Sequence, residues 1–231
     1  WLCRDAFAGT AWRNTARVFD RARLINMGVV NSDILIRSVL LQAIFVSFLF
    51  WGADFGDVNL AANQILLQFL HVTAYALDGF AAAAESLVGQ ALGAKNASRL
   101  RRGALLTSGW GMAICAMLAL AFALAGPAII DIMTTAPDVQ STARNYLPYM
   151  IAAPVVGVAA WMFDGIFIGA TRSRDMRNMM IISAIAYFAA VIPLMALFGN
   201  HGLWIGLLFS FIVRGATLAW KYLGLEAAAY K

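Results

Sequence analysis

Asp78, Glu85 and Asp164 each sit inside a long apolar run of this chain. An ionised carboxylate in hydrocarbon costs roughly 2.5–3.5 kcal/mol even on the lenient insertion scale. Such a group is tolerated where it meets a polar cavity, a partner charge or a moving proton, so all three are candidates for coupling transport to a proton or ion. The competing reading is structural: one or more lies at the membrane surface, or pairs with Arg37 or Arg214. Asp78 and Glu85 are seven residues apart, about two helical turns, and so share a face. Gln64, Gln68 and His71 continue that face toward the other end of the same run. The five residues trace one polar stripe. It suits a helix that lines a wet cavity, and equally a static hydrogen-bonded seam between helices. His71 alone reads as a satisfied core histidine; within the stripe it is a candidate proton relay.

The elements that must position these groups follow from composition. The hydrophobic fraction is 62% and the mean hydropathy +0.75, against roughly 45–50% apolar residues in soluble domains. A chain of 231 residues cannot bury that much apolar surface in one soluble core, so its solvent is lipid. A spanning helix needs about 20 apolar residues. Six runs qualify: 34–51, 60–87, 104–130, 146–170, 179–198 and 203–220. A barrel would show period-2 alternation in segments of about ten residues, and none is seen. The expected fold is an all-α membrane protein with six transmembrane helices.

Basic residues set the orientation. With the N-terminus in the cytoplasm, sixteen of the seventeen Lys and Arg fall on the inner side, and Arg144 alone is left outside. The outer loops carry Asp54, Asp57, Asp131 and Asp138. The reading is a multi-pass protein of the plasma (inner) membrane with both termini cytoplasmic. The net charge of +5 is therefore spent on topology, and nucleic acid is not an expected partner. Arg13, Arg17 and Arg21 recur every four residues, with Trp12, Phe19 and Ile25 on another side. That pattern predicts an amphipathic helix on an anionic inner leaflet, or a plain linker from an upstream segment. A chain that opens on Trp1 is expected to be part of a longer protein.

Pro148, Pro154 and Gly157 fall in the fourth run and Pro193 in the fifth. Proline removes a backbone donor and bends helices, so the fourth span is the best candidate for one that flexes. Cys3 and Cys115 fit no metal or redox spacing, and Cys115 reads as a small buried hydrophobe. There is no triad pattern and no metal-ligand cluster. "GQALGAK" lacks the spacing of a phosphate loop. The expectation is a protein that is not an enzyme and holds neither cofactor nor metal.

At this level of detail the motifs become familiar. "AYALDGFAAAAESLVGQALGAKN" (74–96) resembles the eighth helix of the MATE family, multidrug and toxic compound extrusion, in its DinF-type branch. "PVVGVAAWMFDGIFIGATRSRDMRN" (154–178) resembles that branch's tenth helix and the loop after it. "NSDILIRSVLLQ" (31–42) resembles the start of the seventh helix, and "GNHGLWIGL" (199–207) the turn into the twelfth. The similarity runs from about Asn31 to Tyr222.

The resemblance implies a twelve-helix architecture of two six-helix lobes, of which this chain would be the C-terminal one. Residues 1–30 would be the cytoplasmic connection between lobes, 31–222 the six-helix lobe and 223–231 a cytoplasmic tail. It also implies secondary antiport: inflow of H+ or Na+ would drive export of drugs or other amphiphilic compounds, with the missing N-terminal lobe or a second copy completing the transporter. The alternative is a six-helix membrane subunit or structural partner that transports nothing. The branch's proton-binding aspartate in the first helix has no counterpart here. Asp164, within "FDGIFIGAT", matches the branch's own pattern but is not equated with the cation-site aspartate of the sodium-coupled branch. Broad substrates require an apolar, partly aromatic cavity with few fixed polar groups. Gln64, Gln68, Tyr75 and Met162 are the candidate lining residues. Phe45, Phe48, Phe69, Trp161 and Phe163 are further aromatics, each read first as a packing or lipid-facing residue.

Overall fold

A computed structural model describes residues 20–229. They form six α-helices: α1 (Arg21–Ala53), α2 (Asp57–Gly93), α3 (Ala97–Met133), α4 (Pro137–Gly169), α5 (Ser173–Phe198) and α6 (Asn200–Ala229). Each expected apolar run falls in one helix, in order, the fourth overrunning its helix by Ala170 alone, and all six are long and apolar enough to cross a membrane. The helices exceed the runs that announced them. α2 and α3 have 37 residues each, about 55 Å at the usual rise, against a hydrocarbon core of about 30 Å. Hydropathy sees only the part in lipid; the polar ends stay helical on propensity and capping. Asn96, for example, caps α3 by accepting from the backbone N–H of Arg99 at 3.0 Å. Arg13 and Arg17 of the expected amphipathic segment lie outside the described residues. Arg21 opens α1, which runs on without a break through Asn31.

The connections are short, between one and three residues. Gly56 (φ 97°) and Gly199 (φ 57°) turn the chain in the left-handed region, where a side chain would be strained. α4 lies at the centre, packed against α2, α3 and α6. α5 packs on α6, and α1 lies mainly along α5. One apolar cluster, around Phe48, Leu66, Tyr187 and Trp204, fills one half of the bundle. A second, around Leu77, Leu100, Cys115 and Phe167, fills the other. Pro148 and Pro154 sit within a continuous α4.

Two glycines fix how closely α2 and α4 approach. A Cβ at Gly165 would strike the backbone of Ala81, and one at Gly169 the backbone of Glu85. Gly165 and Gly169 are four residues apart, the small-xxx-small spacing that lets membrane helices touch backbone to backbone. This contact brings Asp164 beside the α2 face that carries Asp78 and Glu85.

Candidate functional site

Where α2 meets α4 and α1, a cleft of about 280 Å³ is lined by Asp78, Glu85, Asp164, Arg37 and Trp161, among others. The three carboxylates expected to do chemistry therefore share one cavity. Their surroundings differ sharply.

Asp164 is buried, with 6% of its surface exposed. Its Oδ2 accepts from Nη2 of Arg37 on α1 and from Nη2 of Arg214 on α6. Both arginines named as possible structural partners are thus engaged at once. Arg214 is itself only 2% exposed. One carboxylate facing two guanidiniums leaves the cluster at net +1 while Asp164 is ionised. Asp164 Oδ1 and Arg37 Nε are buried without a hydrogen-bond partner among the described residues. Both Arg37 and Arg214 counted toward the inner basic excess; they are instead bound inside the helix bundle, and the remaining asymmetry still has the same sense.

Asp78 and Glu85 are exposed on the wall of the cleft. Among the described residues neither has an ion-pair partner. Gln64, Gln68, His71 and Tyr75 lie on the same exposed side of α2, with Tyr75 at 72% exposure. None of the stripe's carboxylates and glutamines bonds to another helix among the described residues, so the stripe is not a seam within this helix bundle. His71 stacks on Tyr75 at 6.3 Å and lies 6.3 Å from the ring of Phe45. A polar stripe left open along a membrane helix needs water or a partner surface opposite it.

Met162 is the exception among the lining candidates. It is 2% exposed and packs inside the bundle beneath Gly111 and beside Leu77. Its neighbour Asp164 faces the cleft, and two residues of helix turn the side chain roughly 200° away. Phe48 and Phe69 are likewise core residues, edge-on to Trp204 and Phe122.

Sequence reasoning missed Asp33. It is 1% exposed on α1 and accepts from Arg177 Nη1 at 2.5 Å and from Ser173 Oγ at 2.9 Å, both on α5. It stands just before the first apolar run, where a charge draws no notice; the available signal was its spacing of four from Arg37. At the opposite end of the bundle lies a second polar group. Asn63 and Asn200 exchange amide bonds of 2.8 and 3.1 Å, and Trp204 Nε1 donates to Asn63 at 3.0 Å. Among the described residues, no three His, Cys, Asp or Glu are grouped to hold a metal ion.

Comparison with known proteins bears on this arrangement. The family model described as MatE matches residues 34–197. DNA damage-inducible protein F of Escherichia coli is 40% identical over 213 residues, covering 91% of this chain and 44% of that protein. A probable multidrug resistance protein NorM of Rhodopseudomonas palustris is 27% identical over 210 residues, covering 87% of this chain and 43% of that protein. The chain thus spans less than half the length of either relative. Among solved structures, the inward-facing conformation of a multidrug resistance MATE family transporter of the MOP superfamily superposes with a TM-score of 0.73. That match has 16% identity and covers 83% of this chain and 46% of the other.

Proposed function

The chain belongs to the MatE family, and on that premise we propose that it forms the C-terminal lobe of a secondary antiporter. It exports drugs or other amphiphilic compounds in exchange for H+ or Na+, from an inner membrane in which both of its termini are cytoplasmic. The observation that carries this reading is the exposed stripe of α2 from Gln64 to Glu85. Lipid would be a costly neighbour for two carboxylates with no described counter-charge. A water-filled cavity shared with an N-terminal lobe removes that cost.

The residues divide the work. Asp78 and Glu85 offer negative charge to a cationic substrate or ion in the cleft, Tyr75 offers an aromatic face, and Gln64 and Gln68 offer hydrogen bonds. His71 relays protons along the stripe. Asp164 responds to the coupling ion through its open Oδ1. A proton or cation there weakens its hold on Arg37 and Arg214, and so loosens α1 and α6 from α4. Residues 1–30 join the two lobes and residues 223–231 form a tail.

Efflux of ethidium from cells lacking other pumps tests the reading. The chain alone should give none, and co-expression with a matching N-terminal lobe should restore it. In the restored pair, Asp78→Asn and Glu85→Gln should keep membrane expression and lower export, Asp78→Asn the more. Robust efflux by the chain alone would favour a homodimer. Export unaffected by both substitutions would remove the stripe from the mechanism.

A further inference from the structure

On the side of α2 away from the cleft, a groove separates the end of α2 from the start of α3. It holds about 210 Å³ and is lined by Leu87, Gln90, Arg99, Arg102, Gly103 and Leu106, with Ala91. Its floor is set by Gly103, whose missing Cβ would lie 3.2 Å from Leu87 Cβ. Two further hollows continue it along α3, one beside Arg101, Arg102 and Leu105 and the next reaching Trp110 and Ala113. The groove is therefore basic at one end and apolar along its length. Leu105, Leu106 and Trp110 are 63%, 52% and 64% exposed. Arg99 and Arg102 have no ion-pair partner among the described residues, whereas Arg101 reaches Glu226 at 3.7 Å.

We propose that this groove binds one anionic phospholipid, its phosphate between Arg99 and Arg102 and an acyl chain laid over Leu106 toward Trp110. Depth and charge both fit. Trp110 lies eight residues beyond Arg102, about 12 Å along the axis, which takes a chain from headgroup level into hydrocarbon. Guanidinium pairs recognise phosphate oxygens in forked geometry. Gln90, which donates to Ser86 Oγ at 3.1 Å, adds a polar group at the rim. α3 packs chiefly on α2 and α4, and its outward face is apolar, which is the surface a membrane helix offers to lipid. The proposal does not depend on export, because it concerns a face remote from the carboxylate cleft.

The test is native mass spectrometry of the purified chain with palmitoyl-oleoyl phosphatidylglycerol and, separately, its phosphatidylcholine counterpart. One phosphatidylglycerol should be retained in preference to phosphatidylcholine. Each basic residue near an anionic surface is worth a factor of about 5 in affinity, so Arg99→Gln with Arg102→Gln should weaken retention roughly 25-fold. Arg172→Gln with Arg174→Gln, exposed elsewhere at the same end, should leave it unchanged. Leu106→Asn should weaken it without altering charge. Equal retention of both lipids, equal loss in the two arginine pairs, or displacement by inorganic phosphate would each overturn a phospholipid site.

Discussion

Asp33 and Arg37 lie one turn apart on α1, and each is bound to a different helix. Asp33 holds Arg177 of α5 at 2.5 Å, and Arg37 is paired with Asp164 of α4. Little of the spanning segment of α1 is buried, 11%, the least of the six. Charge therefore fastens a helix that apolar packing holds only thinly.

Removing that fastening should be measurable. Asp33→Ala leaves Arg177, 29% exposed, without its carboxylate and Ser173 without its acceptor, and losing hydrogen bonds to a charged group of this kind costs about 1.5–3 kcal/mol. We expect a lower melting temperature in detergent. Arg172→Ala removes an exposed arginine 3.4 Å from Asp175, which keeps Lys221 nearby, and should change stability by no more than about 1 kcal/mol. Equal melting of the two variants would mean that α1 is held by packing alone.

Asp164 balances two arginines, and this orders a second set of variants. Asp164→Asn strands both guanidiniums and should destabilise most. Arg214→Gln should follow, because the Arg214 side chain is 3% exposed, and Arg37→Gln should cost least at 16%. Pairing Asp164→Asn with Arg214→Met should recover part of the loss, since an apolar replacement of a buried pair is often neutral. Detergent melting curves give the order directly, and additive losses in the double variant would contradict the pairing.

The glycine contact between α2 and α4 makes a third expectation. Gly165→Ala and Gly169→Ala each drive a methyl into the backbone of the opposite helix. Overpacking of this kind costs about 1–3 kcal/mol. Gly109→Ala meets nothing within 4 Å and should be neutral, or stabilising by up to about 1 kcal/mol from helix propensity. Thermal melting of the three variants checks the sign.

Topology can be read by labelling. Single cysteines within residues 52–57 and 199–201 should react with an impermeant thiol reagent applied from outside. Single cysteines within 95–102 should not, until the membrane is opened. The reverse pattern would invert the lobe and place Arg99 and Arg102 in the outer leaflet.

Much of this organisation is legible in the chain because lipid imposes it. Six apolar runs gave six helices in order, since a backbone in hydrocarbon has no other way to satisfy itself alone. Asp164 stood out, and its two partners were nameable, because charges in lipid are few and each seeks another. The stripe on α2 was visible through its spacing. What hydropathy could not supply was angular register between helices. Met162 looked like a lining residue because its soft apolar side chain suits a cavity for broad substrates, yet it faces the core. Gly165 and Gly169 carry no polarity, so their close approach to α2 becomes visible only when the helices are in place. Asp33 was obscured because the helix extends far beyond the apolar run that marks it.

Connections of one to three residues have a mechanical consequence. Three intervening residues make four Cα steps, so adjoining helix ends stay within about 14 Å of each other, and within about 7 Å at the single-residue turn between α5 and α6. Individual helices cannot slide far past their sequence neighbours. Helices that are not sequence neighbours keep more freedom, and α1, α4 and α6, which meet at Asp164, are of that kind. Spin labels at the joined ends of α2 and α3 should therefore keep their spacing as pH or ligand changes, whereas labels on α1 and α4 are free to separate.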